Sequence, residues 1–180
     1  MTSQTSPAHW PVITVQAEEE PIAIGFDMLA AYHGQAALAM LAVTFQAQAV
    51  ALSILSPQAP ARRSSISIVS GHPGPGVRDA FECVTRAVTR GVYVVDRALP
   101  HGRLVPGFDI SYSFRITLDG KTIELALKPD ALPPRFFELN FTPNRSEADN
   151  AELSLLKRTI AGDILSRAGQ DLFVVGQPQT

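Results

Sequence analysis

The chain has 180 residues, 46% of them hydrophobic and 18% charged, with a formal net charge of −2. A chain of this length buries roughly two thirds of its unfolded surface, so it predicts one globular domain. Charges of both signs are interspersed, which argues against a nucleic-acid or membrane-surface partner. Its single cysteine, Cys83, excludes an intramolecular disulfide and a thiolate zinc cluster, and no signal-peptide pattern opens the chain. We therefore expect a cytoplasmic protein.

The N-terminal residues are polar and punctuated by proline. This pattern predicts a flexible arm over residues 1–20, a single domain over residues 21–175 and a short tail over residues 176–180. The first predicted helix covers residues 27–55, with Asp27 as its cap and a serine and a proline after its end.

Residues 28–61 contain no Asp, Glu, Lys or Arg and are long enough to cross a bilayer as a helix. However, the amides of Gln46 and Gln48 would be costly in mid-bilayer, and the apolar content is dominated by alanine. The pattern favours a buried central helix of a soluble domain over a membrane span. Its alanine-rich surface suits close packing and suggests a two-fold interface in a homodimer.

The most distinctive stretch is 70–79, Ser-Gly-His-Pro-Gly-Pro-Gly-Val-Arg-Asp. It follows a predicted strand over residues 65–69 and leads into a predicted helix over residues 77–90, which Gly91 ends. Its three glycines let a ligand approach the backbone closely, and the N–H groups that begin the helix suit an anion. Its spacing matches neither the dinucleotide fingerprint nor the phosphate loop that ends in Gly-Lys-Ser/Thr.

Three further strands are predicted over residues 92–95, 108–118 and 121–127, with Asp119-Gly120 as a hairpin signal. Alternation in the second of these strands predicts a sheet with one buried and one wetter face. An amphipathic helix over residues 146–168, capped by Ser146, follows. The prediction is an α+β fold in the order α-β-α-β-β-β-α, with a mixed or antiparallel sheet.

Residues 27–140 resemble the N-terminal domain of the FmdE-like family, named after the E-type component of formylmethanofuran dehydrogenase, which has an α-β-α-β-β-β core. The resemblance is carried by Tyr32-His33-Gly34, by residues 76–80, by Thr85 and by the Asp119-Gly120 hairpin. It implies this fold and a role near one-carbon metabolism.

The family pattern has His-Gly-His-x-Cys-Pro-Gly in the first helix, Cys-x-x-Asp-Ala in the loop and Thr-Gly-Cys-Thr in the second helix. Its thiolates and second histidine suit zinc or another transition metal. This chain keeps His33, Gly34 and Asp79. In the first helix, Gln35 stands in place of the second histidine and Ala37 in place of the cysteine. Gly76 stands in place of the loop cysteine, and Arg86-Ala87 stands in place of the Gly-Cys pair of the second helix. The resemblance therefore implies the fold, and we expect neither a metal nor another cofactor.

The candidate ligand-binding residues are His33, His72, Gly74, Gly76, Arg78 and Asp79. Arg78 lies in the first turn of its helix, where a cation is unfavourable unless negative charge compensates it. That charge comes from a bound anion, or from Asp79 or Glu82 in an ion pair. With Glu82, Arg86 and Arg90, Arg78 also forms a row that suits a solvated helix face.

The two histidines have structural alternatives as well. His33 suits either a core histidine or a group that contacts a ligand or transfers a proton, and His72 suits either an exposed turn or a substrate contact. The leading hypothesis is a metal-free protein that binds a small anionic or pterin-like molecule at residues 70–79. One alternative is an enzyme with His33 or His72 as general base and Arg78 as an anion holder. Another is a dimeric accessory or scaffold subunit of a one-carbon or oxidoreductase complex.

Overall fold

The structure is a computed structural model that describes residues 10–180, which form six helices and two mixed sheets. The strands are β1 (Val12–Gln16), β2 (Pro21–Gly25), β3 (Ala61–Arg62), β4 (Ile66–Ser70), β5 (Tyr93–Val95), β6 (Ser113–Leu118), β7 (Lys121–Leu127) and β8 (Phe173–Val175). The helices are α1 (Phe26–His33), α2 (Leu38–Leu55), α3 (Pro75–Thr85), α4 (Pro134–Phe141), α5 (Glu147–Ser166) and α6 (Gly169–Leu172). The predicted α+β class is confirmed.

The larger sheet has the strand order β5-β4-β6-β7-β8. Strands β4 and β5 are parallel and are joined through α3, whereas the other neighbours are antiparallel. Asp119 and Gly120 both have positive φ angles, 49° and 79°, as a tight hairpin between β6 and β7 requires. The predicted hairpin is therefore confirmed.

The core lies between this sheet and the helices. Helix α2 packs against β6 and β7 on one side and against α5 on the other, while α3 packs beside α2 over β4. Phe114, Ile116 and Leu118 of β6 are buried, whereas Arg115 and Thr117 are half-buried on the opposite face. The prediction of one buried and one wetter face is confirmed.

The central helix is buried by its own chain. The segment Gln35–Leu55 is long and apolar enough to cross a membrane, but 72% of its apolar window is buried, which is consistent with a soluble protein. The Gln46 amide donates to the carbonyls of Ile164 and Arg167, and the Gln48 amide donates to that of Ala80. Since α3 and α5 cover the alanine-rich surface, it is not available for the two-fold interface that the sequence suggests.

The predicted N-terminal arm is too long. Strand β1 pairs with β2 and β3 and buries Ile13 and Val15, so the domain begins before residue 21. Residues 1–9, the rest of the predicted arm, lie outside the described part of the chain. The predicted tail is joined to β7, because Gln179 and Thr122 exchange two backbone hydrogen bonds.

The predicted helix over residues 27–55 is two helices. The chain breaks at Gly34, whose φ of 90° and ψ of −177° leave the helical region, and a short 3₁₀ turn precedes α2. Gly25 occupies the N-cap position, and Asp27 lies in the first turn rather than capping the helix.

The second predicted helix ends at Thr85, five residues earlier than expected. Arg86 adopts a left-handed conformation with φ of 57°. The Thr85 hydroxyl donates to the Phe81 carbonyl and accepts from the Ala87 N–H, and the Glu82 carboxylate accepts from Val88 and Thr89. These side chains replace the next helical turn, so the row of residues 78, 82, 86 and 90 is not one solvated helix face.

The strand predicted over residues 108–118 begins only at Ser113. The backbone N–H groups of Ser111 and Tyr112 donate instead to the carbonyls of Gly71 and Gly102, which turns this segment into a loop. At the other end of the chain, Ser146 caps α5 in a capping box, as predicted. Helix α5 ends at Ser166 instead of residue 168, and Gly169 begins α6.

Candidate functional site

The stretch 70–79 links β4 to α3, as predicted: it contains the last residue of β4, the connecting residues 71–74 and the first turn of α3. Gly74 is the N-cap residue and Pro75 is the first helical residue. Pro75 has no N–H group, and the N–H groups of Gly76 and Val77 are too early in the helix to have a helical acceptor. Within residues 10–180, no side chain caps these N–H groups. Gly76 and Val77 are buried and line the cavity described below, so a ligand in that cavity would lie at the positive end of the helix dipole.

His72 is fixed by its own loop. Its Nδ1 accepts a hydrogen bond of 3.0 Å from the Gly74 N–H, and its ring meets the Tyr112 ring edge-on with centroids 4.9 Å apart. Burial, assisted by the charge of Arg97, lowers the pKa of His72 to about 4. The ring is therefore neutral at pH 7 with its proton on Nε2, so it acts as a hydrogen-bond donor and not as a general base.

A cavity of about 180 Å³ lies against this loop. Its lining comes from the connection between β4 and α3, from α3 itself, and from the first residues of α2 with the segment before them. Tyr112, which precedes β6, and residues of α4 and α5 complete the lining. The lining residues are Ala36, Ala37, Ala39, Met40, His72, Gly74, Pro75, Gly76, Val77, Tyr112, Phe136, Asn140 and Lys157. Three of the six predicted site residues, His72, Gly74 and Gly76, thus lie together at one cavity.

Lys157 is the only charged residue among the lining residues. Its Nζ donates a hydrogen bond of 2.8 Å to the Ala36 carbonyl, and within the described chain it pairs with no carboxylate. Burial first, and then the charge of Arg145, lowers the pKa of the amine. A half-buried ammonium without a carboxylate partner favours an anion in the cavity.

Sequence reasoning missed Lys157 because it lies in α5, far along the chain from the loop. A signal was nevertheless present. Lys157 follows the buried Leu153 by four residues and precedes the buried Ala161 by four, so it lies on the apolar stripe of its helix. A lysine on such a stripe needs either an exit to solvent or a partner for its charge.

The other predicted residues form a cluster on the far side of Gly76. His33 Nδ1 lies 2.7 Å from Asp79 Oδ2, and the Arg78 guanidinium donates to Asp79 Oδ1 at 3.2 Å. The Arg78 side chain is 54% exposed, and neither Arg78 nor Asp79 lines the cavity. The structure thus contains the ion pair of Arg78 with Asp79 that the sequence offered as an alternative.

Two of the three positions at which the family pattern has cysteines, 37 and 76, are close together. A Cβ atom built on Gly76 would lie 2.5 Å from the Ala37 Cβ and 3.7 Å from His33 Nε2. Neither Ala37 nor Gly76 offers a donor atom, and residues 10–180 contain no group of three or more His, Cys, Asp or Glu side chains placed to hold a metal. The residues present do not fit the metal that the resemblance would bring.

A larger groove, of about 460 Å³, lies at the other end of α3 and is lined by Arg63, Arg86 and Arg90. Arg63 donates to the carbonyls of Cys83 and Val84, and Arg90 donates to those of Ser64, Ile66 and Thr85. These arginines therefore stabilise the carbonyl end of α3. The opposite wall is the acidic turn of residues 18–20, which repels anions. The smaller cavity is the better candidate for a binding site.

A scan against protein-family models found no match for this chain, and a search of curated proteins found none either.

Proposed function

We propose that this protein is a metal-independent relative of the FmdE-like proteins that binds a small anionic molecule in the cavity beside residues 70–79. The observation that carries the proposal is the wall of this cavity. It combines the beginning of α3, the His72 donor and the Lys157 ammonium, without an acidic side chain among its lining residues. We place this role near one-carbon metabolism on the resemblance, and in the cytoplasm on the single cysteine.

Two structural observations support the relationship. The positions of the missing cysteines in the first helix and the loop, Ala37 and Gly76, are in contact and lie near His33. In addition, Arg86 stands where the family pattern has glycine, and its φ of 57° is a conformation that favours glycine. Both observations support the resemblance, because they concern positions of the family pattern.

The size of the cavity limits the ligand. An engineered protein cavity of about 150 Å³ holds one benzene molecule, and pockets for drug-sized ligands begin at about 300 Å³. A cavity of about 180 Å³ therefore suits a short acid or a single substituted ring. It does not suit a complete folate.

A second candidate function is an enzyme that uses His33 as general base, and the contact between His33 and Asp79 favours it. A carboxylate at Nδ1 orients the ring and leaves Nε2 as the proton acceptor. His33 is not among the lining residues, but its Nε2 would lie 3.7 Å from a Cβ built on Gly76, which does line the cavity. This geometry favours His33 over His72 as the base.

A thermal-shift screen in buffer with a chelator tests the proposed function. The probes are acetate, benzoate, inorganic phosphate and pterin-6-carboxylate. We expect at least one probe to raise the midpoint of the wild type, because a ligand that binds only the folded state stabilises it by mass action. We expect Lys157→Met to abolish most of that shift and Arg78→Ala to retain it.

The two variants also compare two locations for the site. If Arg78→Ala removes the shift and Lys157→Met does not, then the ligand binds at the cluster of His33, Arg78 and Asp79 instead of in the cavity. If no probe shifts the wild type, or if a shift requires added metal, the proposed function is wrong.

A further inference from the structure

The wall of the cavity contains both hydrogen-bond donors and apolar side chains. Hydrogen-bond donors come from the beginning of α3 and from the side chains of His72, Asn140 and Lys157. The remaining wall includes Met40, Tyr112 and Phe136, whose side chains are otherwise buried in the core. Such a wall suits a ligand that has one charged group and one compact apolar body.

The number of charged residues that line the cavity indicates the net charge of the ligand that it suits. Lys157 supplies one positive charge, and none of the other lining residues is acidic or permanently charged. A monoanion is balanced by this single ammonium, with the α3 dipole as a further favourable contribution. Arg145 and Arg97 act on Lys157 and His72 from outside the lining, so a dianion would meet one cation within the cavity, and its second charge would be desolvated beside apolar groups at a cost.

The aromatic lining residues are held by their own packing. Tyr112 and Phe136 are 1% and 3% exposed, and both rings pack edge-on against Phe137. Burial raises the pKa of Tyr112 to about 12, so its phenol stays protonated at neutral pH. The aromatic walls therefore add no charge and favour a flat or branched apolar group.

We infer that the cavity binds a monocarboxylate whose body is a single ring or a short branched chain. The carboxylate would accept hydrogen bonds from Lys157, from His72 Nε2 and from the first N–H groups of α3, and the body would lie against Met40, Tyr112 and Phe136. This inference rests on the proposed function and names its ligand class. A lone phosphate would satisfy the donors and leave the apolar walls without a partner.

Isothermal titration of the wild type with four probes tests the class without any substitution. Benzoate and benzamide have nearly the same shape and differ in charge, whereas acetate lacks the ring and phosphate lacks an apolar body. We expect benzoate to bind at least about tenfold more tightly than each of the other three, because a charge-assisted hydrogen bond and the burial of a ring each contribute about a factor of ten or more. Equal affinity for benzoate and benzamide would overturn the inference.

Two matched variants test whether the Lys157 ammonium is the group that binds the carboxylate. Lys157→Met keeps the apolar stem and should weaken benzoate at least about tenfold while leaving benzamide unchanged. Its neighbour Arg158 is exposed and does not line the cavity, so Arg158→Met should change neither affinity. An equal loss in both variants would mean that only the overall charge matters and would overturn the assignment to Lys157.

The outcomes separate the ligand class from the proposed function. If phosphate binds in a Lys157-dependent manner and benzoate does not, the carboxylate class is wrong and the cavity is still an anion site. If none of the four probes binds and no other small anion shifts the melting midpoint, both the class and the proposed function are wrong.

Discussion

His72 shows how one loop residue sets the character of the candidate site. Its Nδ1 is occupied by the Gly74 N–H, so the loop itself selects the tautomer that presents an N–H at Nε2. Among residues 10–180 no protein group accepts from Nε2. The sequence indicated that His72 lies on a ligand-binding loop, but a hydrogen bond between neighbours decides whether the ring donates or accepts.

The buried, neutral state of His72 predicts a specific pH dependence. The folded pKa is about 4, below the ordinary value of 6.5, so the unfolded chain binds more protons between these two pH values. The free energy of unfolding should therefore fall as the pH decreases from about 6.5 to about 4, by roughly 3 kcal/mol at most. Urea denaturation at a series of pH values measures it.

His72→Asn is the matched control, because the Asn side chain can still accept from the Gly74 N–H and does not titrate. Its unfolding free energy should lose less over the same pH interval than that of the wild type. If the two proteins show the same pH dependence, His72 is not the buried histidine that the structure describes.

At the scale of elements, α1 and α2 show why a single apolar run became two helices. Gly34 has φ of 90°, and a Cβ built there would meet no atom within 4 Å. The obstacle to any other residue is therefore the backbone conformation, not the available space. Hydrophobic composition predicts helix on both sides of Gly34, but it contains no information on a break that one glycine makes possible.

Gly34→Ala tests this account of the break. We expect it to reduce the free energy of unfolding by about 1–3 kcal/mol, because this region of φ and ψ is nearly restricted to glycine. Gly162 of α5 also has open space at its Cβ position but has no positive φ, so Gly162→Ala should be stabilising by up to about 1 kcal/mol. Chemical denaturation of both variants gives the comparison. A neutral Gly34→Ala would show that α1 and α2 can join without strain.

Other boundaries depend on hydrogen bonds between side chains and backbone. The capping box of Ser146 was predictable, because its donor and acceptor are three residues apart. The end of α3 was not, since it depends on Thr85 and Glu82 turning back to the chain that follows. Both residues are compatible with a continuing helix, so only the tertiary structure decides between the two conformations.

On the scale of the whole molecule, the candidate site is assembled from segments that are distant in sequence. Met40, His72, Phe136 and Lys157 come from different elements and meet because α5 and α4 pack beside α2 and the start of α3. The glycine loop between a strand and a helix was predictable from local pattern. The ammonium and the apolar walls were not, because they depend on how the helices pack.

The contacts around His33 predict how much metal the protein contains. His33 and Asp79 are paired with each other, while the neighbouring positions 37 and 76 carry alanine and glycine. Two donors are too few for a tightly bound zinc, which ordinarily has at least three protein ligands. We therefore expect protein exchanged into metal-free buffer to contain far less than one equivalent of zinc, iron or nickel per chain, as measured by elemental analysis. The control variant is His101→Ala, which changes an exposed histidine that is paired with Glu124. If the protein contains near-stoichiometric metal, and if His33→Ala loses that metal while His101→Ala keeps it, then His33 is a ligand and the metal-independent function is refuted.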